Sequence, residues 1–311
     1  MTANQLDLSA ASIYCLLLHQ LQAVIGNESE AIPLQKTKEH QGALYLSAIA
    51  LKLSPIWQQP AMDIAVQLAA VCQKVIAIPP VPSVRGITQN LPQSLESFTV
   101  EVVPPGMILF ELTDVGLATW LQHLIETPFQ VGSDVSPKTV NQNLLVWSPV
   151  CLPPSDRLFP IQYSHARCCS LLRLAHRDRL LTLAEPQISP SVGQLVVPNP
   201  IPWLEPNGKL RLVQPTERHL MSQLLTALDA LALQSLGEGR DRTSKVVNWL
   251  KLTNDLSQAF QAFYSQCRIW GEVKIQQPEL AQARLGLVLA TQSLIKVLLE
   301  EVLGAIAPLE L

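Results

Sequence analysis

The segment Phe159–Arg173, FPIQYSHARCCSLLR, places an aromatic, a Gln162-Tyr163 pair, His165 and Arg167 within one amphipathic run. At helical spacing Ile161, Ser164, Cys168, Leu171 and Leu172 fall along one stripe, while His165, Arg167 and Arg173 reach other faces. One face packs and the others are free for chemistry. Arg167, Arg173, Arg177 and Arg179, with His165 and His176, gather positive charge around this run, and the chemistry that such a cluster suits is contact with phosphate. The same pattern also describes the first helix of a helical domain whose basic residues are merely solvated. Periodicity alone favours that second reading, because basic residues on a helix usually serve solubility.

The elements around the segment must supply cores that hold it. A chain of 311 residues is long enough for two ordinary domains, each burying its own core. At 48% hydrophobic and 15% charged residues the composition is that of a folded globular protein with a lightly charged surface. No apolar run reaches the roughly 18 to 20 residues of a bilayer crossing, and the nearest, Ala10–Ile25, is broken by His19, Gln20 and Gln22. It has neither a basic leader nor a cleavage site, so the expectation is a cytoplasmic protein without a membrane partner. Cysteines 15, 72, 151, 168, 169 and 267 form no C-x-x-C pair and the histidines form no H-x-x-x-H pair, which argues for buried thiols and against a metal site. Net charge is −3, weak evidence against a chain devoted to non-specific nucleic-acid binding. It is unevenly spread. Residues 1–158 hold 7 Lys and Arg against 12 Asp and Glu, whereas residues 159–311 hold 15 against 13.

Residue order carries more than periodicity. The segment resembles the "VQYAHAR.CSILR" helix that opens the all-helical anticodon-binding (DALR) domain of arginyl-tRNA synthetases. Gln162, Tyr163, His165, Ala166, Arg167, Ser170, Leu172 and Arg173 match position by position, and Ser164 stands where Ala is usual. The remainder of the second half continues the likeness. A proline-rich loop over Ala184–Asn207, with Trp203 as its anchor, is followed by predicted helices over 216–233, 244–267 and 278–302, a bundle with the first. Glu217 and Leu220 answer the family's "E..L...L", and Phe260, Phe263, Tyr264, Cys267 and Ile269 answer its "F..FY..C.V". Ala283-Arg284-Leu285, Leu287, Leu303-Gly304 and Pro308 answer the last helix, while Leu311 replaces a usual Met.

In the first half, Ser9 is expected to cap a helix through Ile25, with Ile13, Leu16, Leu17, Leu21 and Val24 buried and Gly26-Asn27 as its stop. Ala31–Glu39 reads as a connection or edge strand, Gly42–Leu53 as a helix ended by Pro55, and Met62–Val75 as another. Ile76–Gln93 is a proline-rich loop. Strands over Phe98–Val103 and Met107–Leu112, joined by Pro104-Pro105-Gly106, precede a helix over Val115–Ile125. This order is similar to the N-terminal additional domain of the same family. Gly42, Ala50 and Leu53, then Ile64-Ala65, then Pro105-Gly106, Ile108, Phe110 and Leu112 carry the resemblance. Ala43, Ser47, Met107 and Leu109 replace the family's Asp, Asn, Phe and Asn, and Leu109 offers a base edge neither donor nor acceptor. Readout of the D-loop is therefore not expected from this strand, and Phe110 reads as core.

The expected fold class is α+β: a small N-terminal α+β domain (1–127), a linker (128–158) and an all-α helical bundle (159–311). The linker stands where the family has its catalytic domain, and it is too short for a nucleotide-binding sheet. Neither H-I-G-H nor K-M-S-K-S occurs; the closest string, Arg242-Thr243-Ser244-Lys245, lies in the helical part. No acid-base constellation replaces them. The resemblance thus implies a tRNA-binding protein that is no enzyme, with no cofactor and no small-molecule substrate. Gln162, Tyr163, His165, Arg167, Arg173, Tyr264 and Arg284 are the expected tRNA-binding residues, and arginine-accepting tRNA and a protein partner the expected partners. A protein-interaction or assembly factor that keeps the fold without RNA, and an accessory subunit for aminoacylation in trans, are the alternatives.

Overall fold

The computed structural model describes residues 11–26, 32–37, 44–75, 78, 97–126, 155–184, 193–235 and 247–311. The chain folds into two compact units, Ser12–Trp120 with Leu204–Leu210, and Leu121–Trp203 with Arg211–Leu311. Several sequence features fall outside the described residues: Ser9, Gly42 and Ala43, the loop over 79–93, the linker residues 128–154 with Cys151, and Arg242–Lys245.

The first unit opens with α1 (Ile13–Ile25), whose N-cap is Ser12: its hydroxyl accepts a hydrogen bond from the Cys15 N–H at 3.1 Å. Gly26, with φ of 71°, ends it. Ile13, Cys15, Leu17, Leu18, Leu21 and Ile25 are buried, whereas Leu16 and Val24 are only half-buried. Four antiparallel strands, β1 (Leu34–Lys36), β2 (Leu44–Ser47), β3 (Phe98–Val103) and β4 (Met107–Leu112), lie in the order β1-β2-β4-β3. The helix expected over Gly42–Leu53 is therefore corrected. Leu44–Ser47 pair with both β1 and β4, and helix α2 covers Ile49–Trp57. Pairing on both sides outweighs the local helix preference of this apolar run, and Ser47 makes the switch. Its hydroxyl donates to the Pro33 carbonyl at 2.9 Å and accepts from the Ile49 N–H at 3.3 Å. Pro55 does not end α2, which runs on to Trp57 and stops at Gln58 in the left-handed region, φ 53°.

Helix α3 (Ala61–Val75) covers the outer edge of the sheet. Gln73 donates to the Phe98 carbonyl at 3.2 Å and accepts from the Val100 N–H at 3.0 Å, so one side-chain amide stands in for a neighbouring strand. Helix α4 spans Asp114–Glu126. Tyr45, Phe98, Phe110 and Trp120 are fully buried, and Phe110 is core as its sequence context indicates.

In the second unit α5 (Ser155–Arg177) starts four residues before Phe159. A two-stranded ribbon, β5 (Thr182–Leu183) with β6 (Leu195–Val197), follows, then α6 (Pro215–Ser235), α7 (Trp249–Gln266), the short α8 (Glu272–Gln276) and α9 (Pro278–Val297). Helix α9 is apolar almost all round and is buried nearly throughout from Ala281, packing against α5, α6 and α7. The long helix expected to Val302 gives way to a π turn over Leu298–Val302. Trp203 anchors its loop as expected. It is buried, its Nε1 donates to Gln122 Oε1 at 2.8 Å, and the same oxygen accepts from the Ile201 N–H at 3.1 Å. Opposite the indole is Gly286 of α9, where an added Cβ would lie 2.5 Å from the Trp203 ring. Among the described residues no helix is long and apolar enough to cross a membrane.

Candidate nucleic-acid interface

Helix α5 is held by an internal polar seam. Ser164 donates to the Pro160 carbonyl at 3.0 Å and lies 2.6 Å from the Ser257 hydroxyl on α7, and Gln261 donates to Ser164 at 3.0 Å. The serine that stands where alanine is usual thus joins two helices. Around it Ile161, Cys168, Leu171 and Leu172 are buried, as the helical stripe requires.

His165 is also buried, which corrects its expected place on a free face. Its Nδ1 is 2.8 Å from the Pro308 carbonyl, an acceptor only, so Nδ1 carries the proton. Its Nε2 then accepts from Gln292 Nε2 at 2.9 Å. Burial holds its pKa below the ordinary 6.5, with the Lys296 charge acting the same way and the Pro308 bond opposing. This histidine is neutral, and it fastens the chain beyond α9.

Arg284 is corrected in the same way. It lies on α9 at 6% exposure, its Nε 2.7 Å from Glu217 Oε1, while Nη1 donates to the Arg268 carbonyl. The second Glu217 oxygen accepts from the Gln214 N–H at 2.8 Å at the start of α6. A guanidinium engaged this way ties helices together and does not reach a ligand.

The outward side of α5 is different. Gly304, with φ of 62°, lets the chain leave the π turn in a left-handed conformation and come back along α5. Gln162 Nε2 donates to the Ile306 carbonyl at 2.9 Å, and Arg173 Nη2 donates to the Leu309 carbonyl at 3.2 Å. The same nitrogen lies 3.2 Å from Glu310 Oε1, and the two side chains are 45% and 82% exposed. Such a solvated pair is worth at most about 1 kcal/mol, so a ligand exchanges for it readily.

Between helix and returning segment is a cleft of about 430 Å³ lined by Tyr163, Arg167, Ser170, Arg173, Glu310 and Leu311. Arg167 forms its floor. Its guanidinium sits 4.7 Å from the centre of the Tyr264 ring of α7 and donates to the Tyr264 hydroxyl. Its Nε is buried without a hydrogen-bond partner. Tyr163, 46% exposed, stands at the rim beside Phe159, 55% exposed, with ring centroids 6.4 Å apart and planes 28° from parallel. Five of the seven expected residues therefore gather here. Tyr163, Arg167 and Arg173 line the cleft, Tyr264 supports Arg167, and Gln162 positions the opposite wall. Sequence reasoning did not assign Phe159, Ser170 or Glu310. Phe159 and Ser170 lie on the same helix as the assigned residues, but Glu310 is 137 residues from Arg173 and no local pattern announces it.

Chemically the cleft combines exposed aromatic faces, two guanidinium groups, the hydroxyls of Tyr163 and Ser170 and the Glu310 side-chain carboxylate, a set suited to an unpaired base and its phosphate. Residues 161–311 match the DALR anticodon binding domain family. The chain is 28% identical over 196 residues to an arginine-tRNA ligase of a Synechococcus species, 62% of this chain and 27% of that protein. It is 33% identical over 139 residues to that of Gloeobacter violaceus, 44% and 20% of the two chains. It is 31% identical over 218 residues to that of Pelodictyon phaeoclathratiforme, 67% and 34%. The chain thus spans between a fifth and a third of the length of these relatives. No solved structure matches it significantly. Residues 161–311 thus form a DALR anticodon-binding domain.

Proposed function

We propose that this protein binds tRNA through the cleft beside α5, as a catalytically empty relative of arginyl-tRNA synthetase that presents tRNA to a protein partner. The observation that carries the reading is the convergence of Tyr163, Arg167 and Arg173 on one open cleft of an anticodon-binding domain. A base stacks on Tyr163, extended by Phe159, and the arginines meet phosphate. Arginine-accepting tRNA is the expected species, since the relatives are arginine-tRNA ligases. The H-I-G-H and K-M-S-K-S signatures are missing from the sequence, which supports a binding role without aminoacylation. The protein acts in the cytoplasm, where tRNA is found.

The test is a Tyr163→Ala/Arg167→Ala double variant. Electrophoretic or fluorescence titration with tRNA should show affinity falling by about tenfold or more, one stacked base being worth about 1–3 kcal/mol. Circular dichroism should show the fold retained. Unchanged affinity in a folded double variant would overturn the assignment. The acidic first half favours a second reading, a protein-assembly factor that has lost the RNA; co-purification with a protein and no RNA would select it.

A further inference from the structure

The outer edge of the first unit's sheet is only half filled. Strand β3 is last in the order β1-β2-β4-β3, and from outside it Gln73 of α3 bonds the Phe98 carbonyl and the Val100 N–H. The backbone groups of even-numbered β3 residues therefore face away from β4, and the bond from the Thr113 N–H to the Ser97 carbonyl, at 3.1 Å, shows that odd-numbered ones face it. The Gln73 amide reaches no further than Val100. Beyond it the Val100 carbonyl and the Val102 N–H and carbonyl point outward with no hydrogen-bond partner among the described residues. We propose that this open half-edge docks an extended segment of a protein partner, with a basic residue set against Glu101 and apolar residues on either side of it. The inference rests on the proposed function for there being a protein partner, and it gives that partner a surface.

Helix α3 runs along this edge. Ala61 stands at the turn, where a Cβ added to Gly106 would lie 2.9 Å from the Ala61 Cβ, and Gln73 stands at Phe98. The rise of about 10 Å from Gln73 back to Val66 equals about three residues of strand and sets Val66 level with Val102. Met62 and Val66 share the Gln73 stripe and are 39% and 55% exposed, so apolar surface borders the open backbone on the face of Val100 and Val102. On the other face Glu101 is exposed and has no ion pair among the described residues. A strand added here places apolar residues beside Val100 and Val102 and, between them, a residue opposite Glu101 where Lys or Arg is favoured. A second copy of β3 does not meet these terms. Outward backbone pairs only with outward backbone, so two copies can centre on Val102 or on Glu101. The first sets Val100 against Pro104, which has no N–H, and leaves Val102 the sole paired residue; the second sets the two Glu101 carboxylates side by side. Centres nearer Phe98 meet Gln73. The acidic balance of residues 1–158, 7 Lys and Arg against 12 Asp and Glu, also favours a basic partner over another copy.

The experiment titrates the isotope-labelled full chain with two soluble heptapeptides, one alternating Val and Lys and one alternating Val and Glu, and follows the backbone amides by NMR. The Val-Lys peptide should shift the amides of Val100 to Val103 and slow exchange of the Val102 N–H. It should bind at least about threefold tighter than the Val-Glu peptide, and Glu101→Lys should reverse that preference. N-methylation at the peptide's Val residues, whose backbone pairs with Val102, should abolish the shifts, whereas N-methylation at its Lys residues should not. Shifts confined to other residues, or a Val-Lys preference that Glu101→Lys leaves in place, would overturn the proposal and reduce it to attraction between a cationic peptide and an acidic chain. A dimer in sedimentation that Val102→Pro dissolves would also overturn it, by giving the edge to a second copy. Whole tRNA is titrated on the same protein. Binding of tRNA without peptide shifts at β3 overturns this inference alone, and peptide shifts without tRNA binding overturn the tRNA part of the proposed function alone. Binding of neither overturns both.

Discussion

Arg284 and Glu217 are buried on facing helices with their charges turned on one another, and removing one partner leaves the other charged in a site that water does not reach. Arg284→Ala should therefore cost about 3–5 kcal/mol in urea unfolding, whereas exchanging both for apolar residues of similar volume should recover most of it. A large loss of RNA binding with unchanged stability would contradict this and return Arg284 to the tRNA-binding role that the resemblance implies. His165 gives a pH dependence of fixed sign. The folded state holds it neutral between Pro308 and Gln292 with its pKa lowered by burial, while the unfolded chain protonates it near 6.5. Its contribution to stability is fully present above about pH 6.5 and is lost as pH falls from there through the lowered folded value. Melting from pH 8 to 5 should show a steeper acid loss in the wild type than in His165→Gln. Burial lowers the His123 pKa too, so the difference between the two proteins, not the wild-type slope, is the measurement that decides.

At the scale of elements, one contact seats α9 and another set holds the segment that lines the cleft. Helix α9 passes Trp203 at Gly286, where no side chain fits, so Gly286→Ala should destabilise by about 1–3 kcal/mol through overpacking. An unchanged unfolding midpoint would mean that the indole moves aside freely. The returning segment from Gly304 onward has Gln162, His165 and Arg173 as its clasps. Gln162→Ala should speed amide exchange over residues 305–311 while lowering global stability by no more than about 1.5 kcal/mol, the net worth of one hydrogen bond. Uniform protection there would show that the segment needs no clasp. These elements also mark where sequence is legible. The helices α1, α3, α4 and α5–α7 and the strands β3 and β4 repeat periods long enough to read, and Trp203 declares itself as a lone aromatic among prolines. Strand β2 does not, because Leu44–Ser47 become a strand only through partners at Leu34–Lys36 and Ile108–Glu111. The same limit applies to the site. Tyr163, Arg167 and Arg173 are visible in one helix, but the burial of His165 and the arrival of Glu310 depend on a chain reversal more than a hundred residues later.

For the whole molecule, residues 161–311 form an anticodon-binding domain with an open cleft beside α5 and a central helix, α9, buried nearly throughout from Ala281, and the first unit is a small α+β body with its own core. Residues 159–311 carry the basic excess of a chain that is otherwise acidic, so attraction to RNA is local and not a property of net charge. The decisive measurement is binding of the purified protein to tRNA across a salt series, with arginine-accepting tRNA scored separately. The account predicts specific binding that weakens by about tenfold between roughly 50 and 200 mM salt, as expected when two or so phosphates release their counterions. Absence of binding at the lowest salt would contradict it and leave an anticodon-binding fold serving a protein partner.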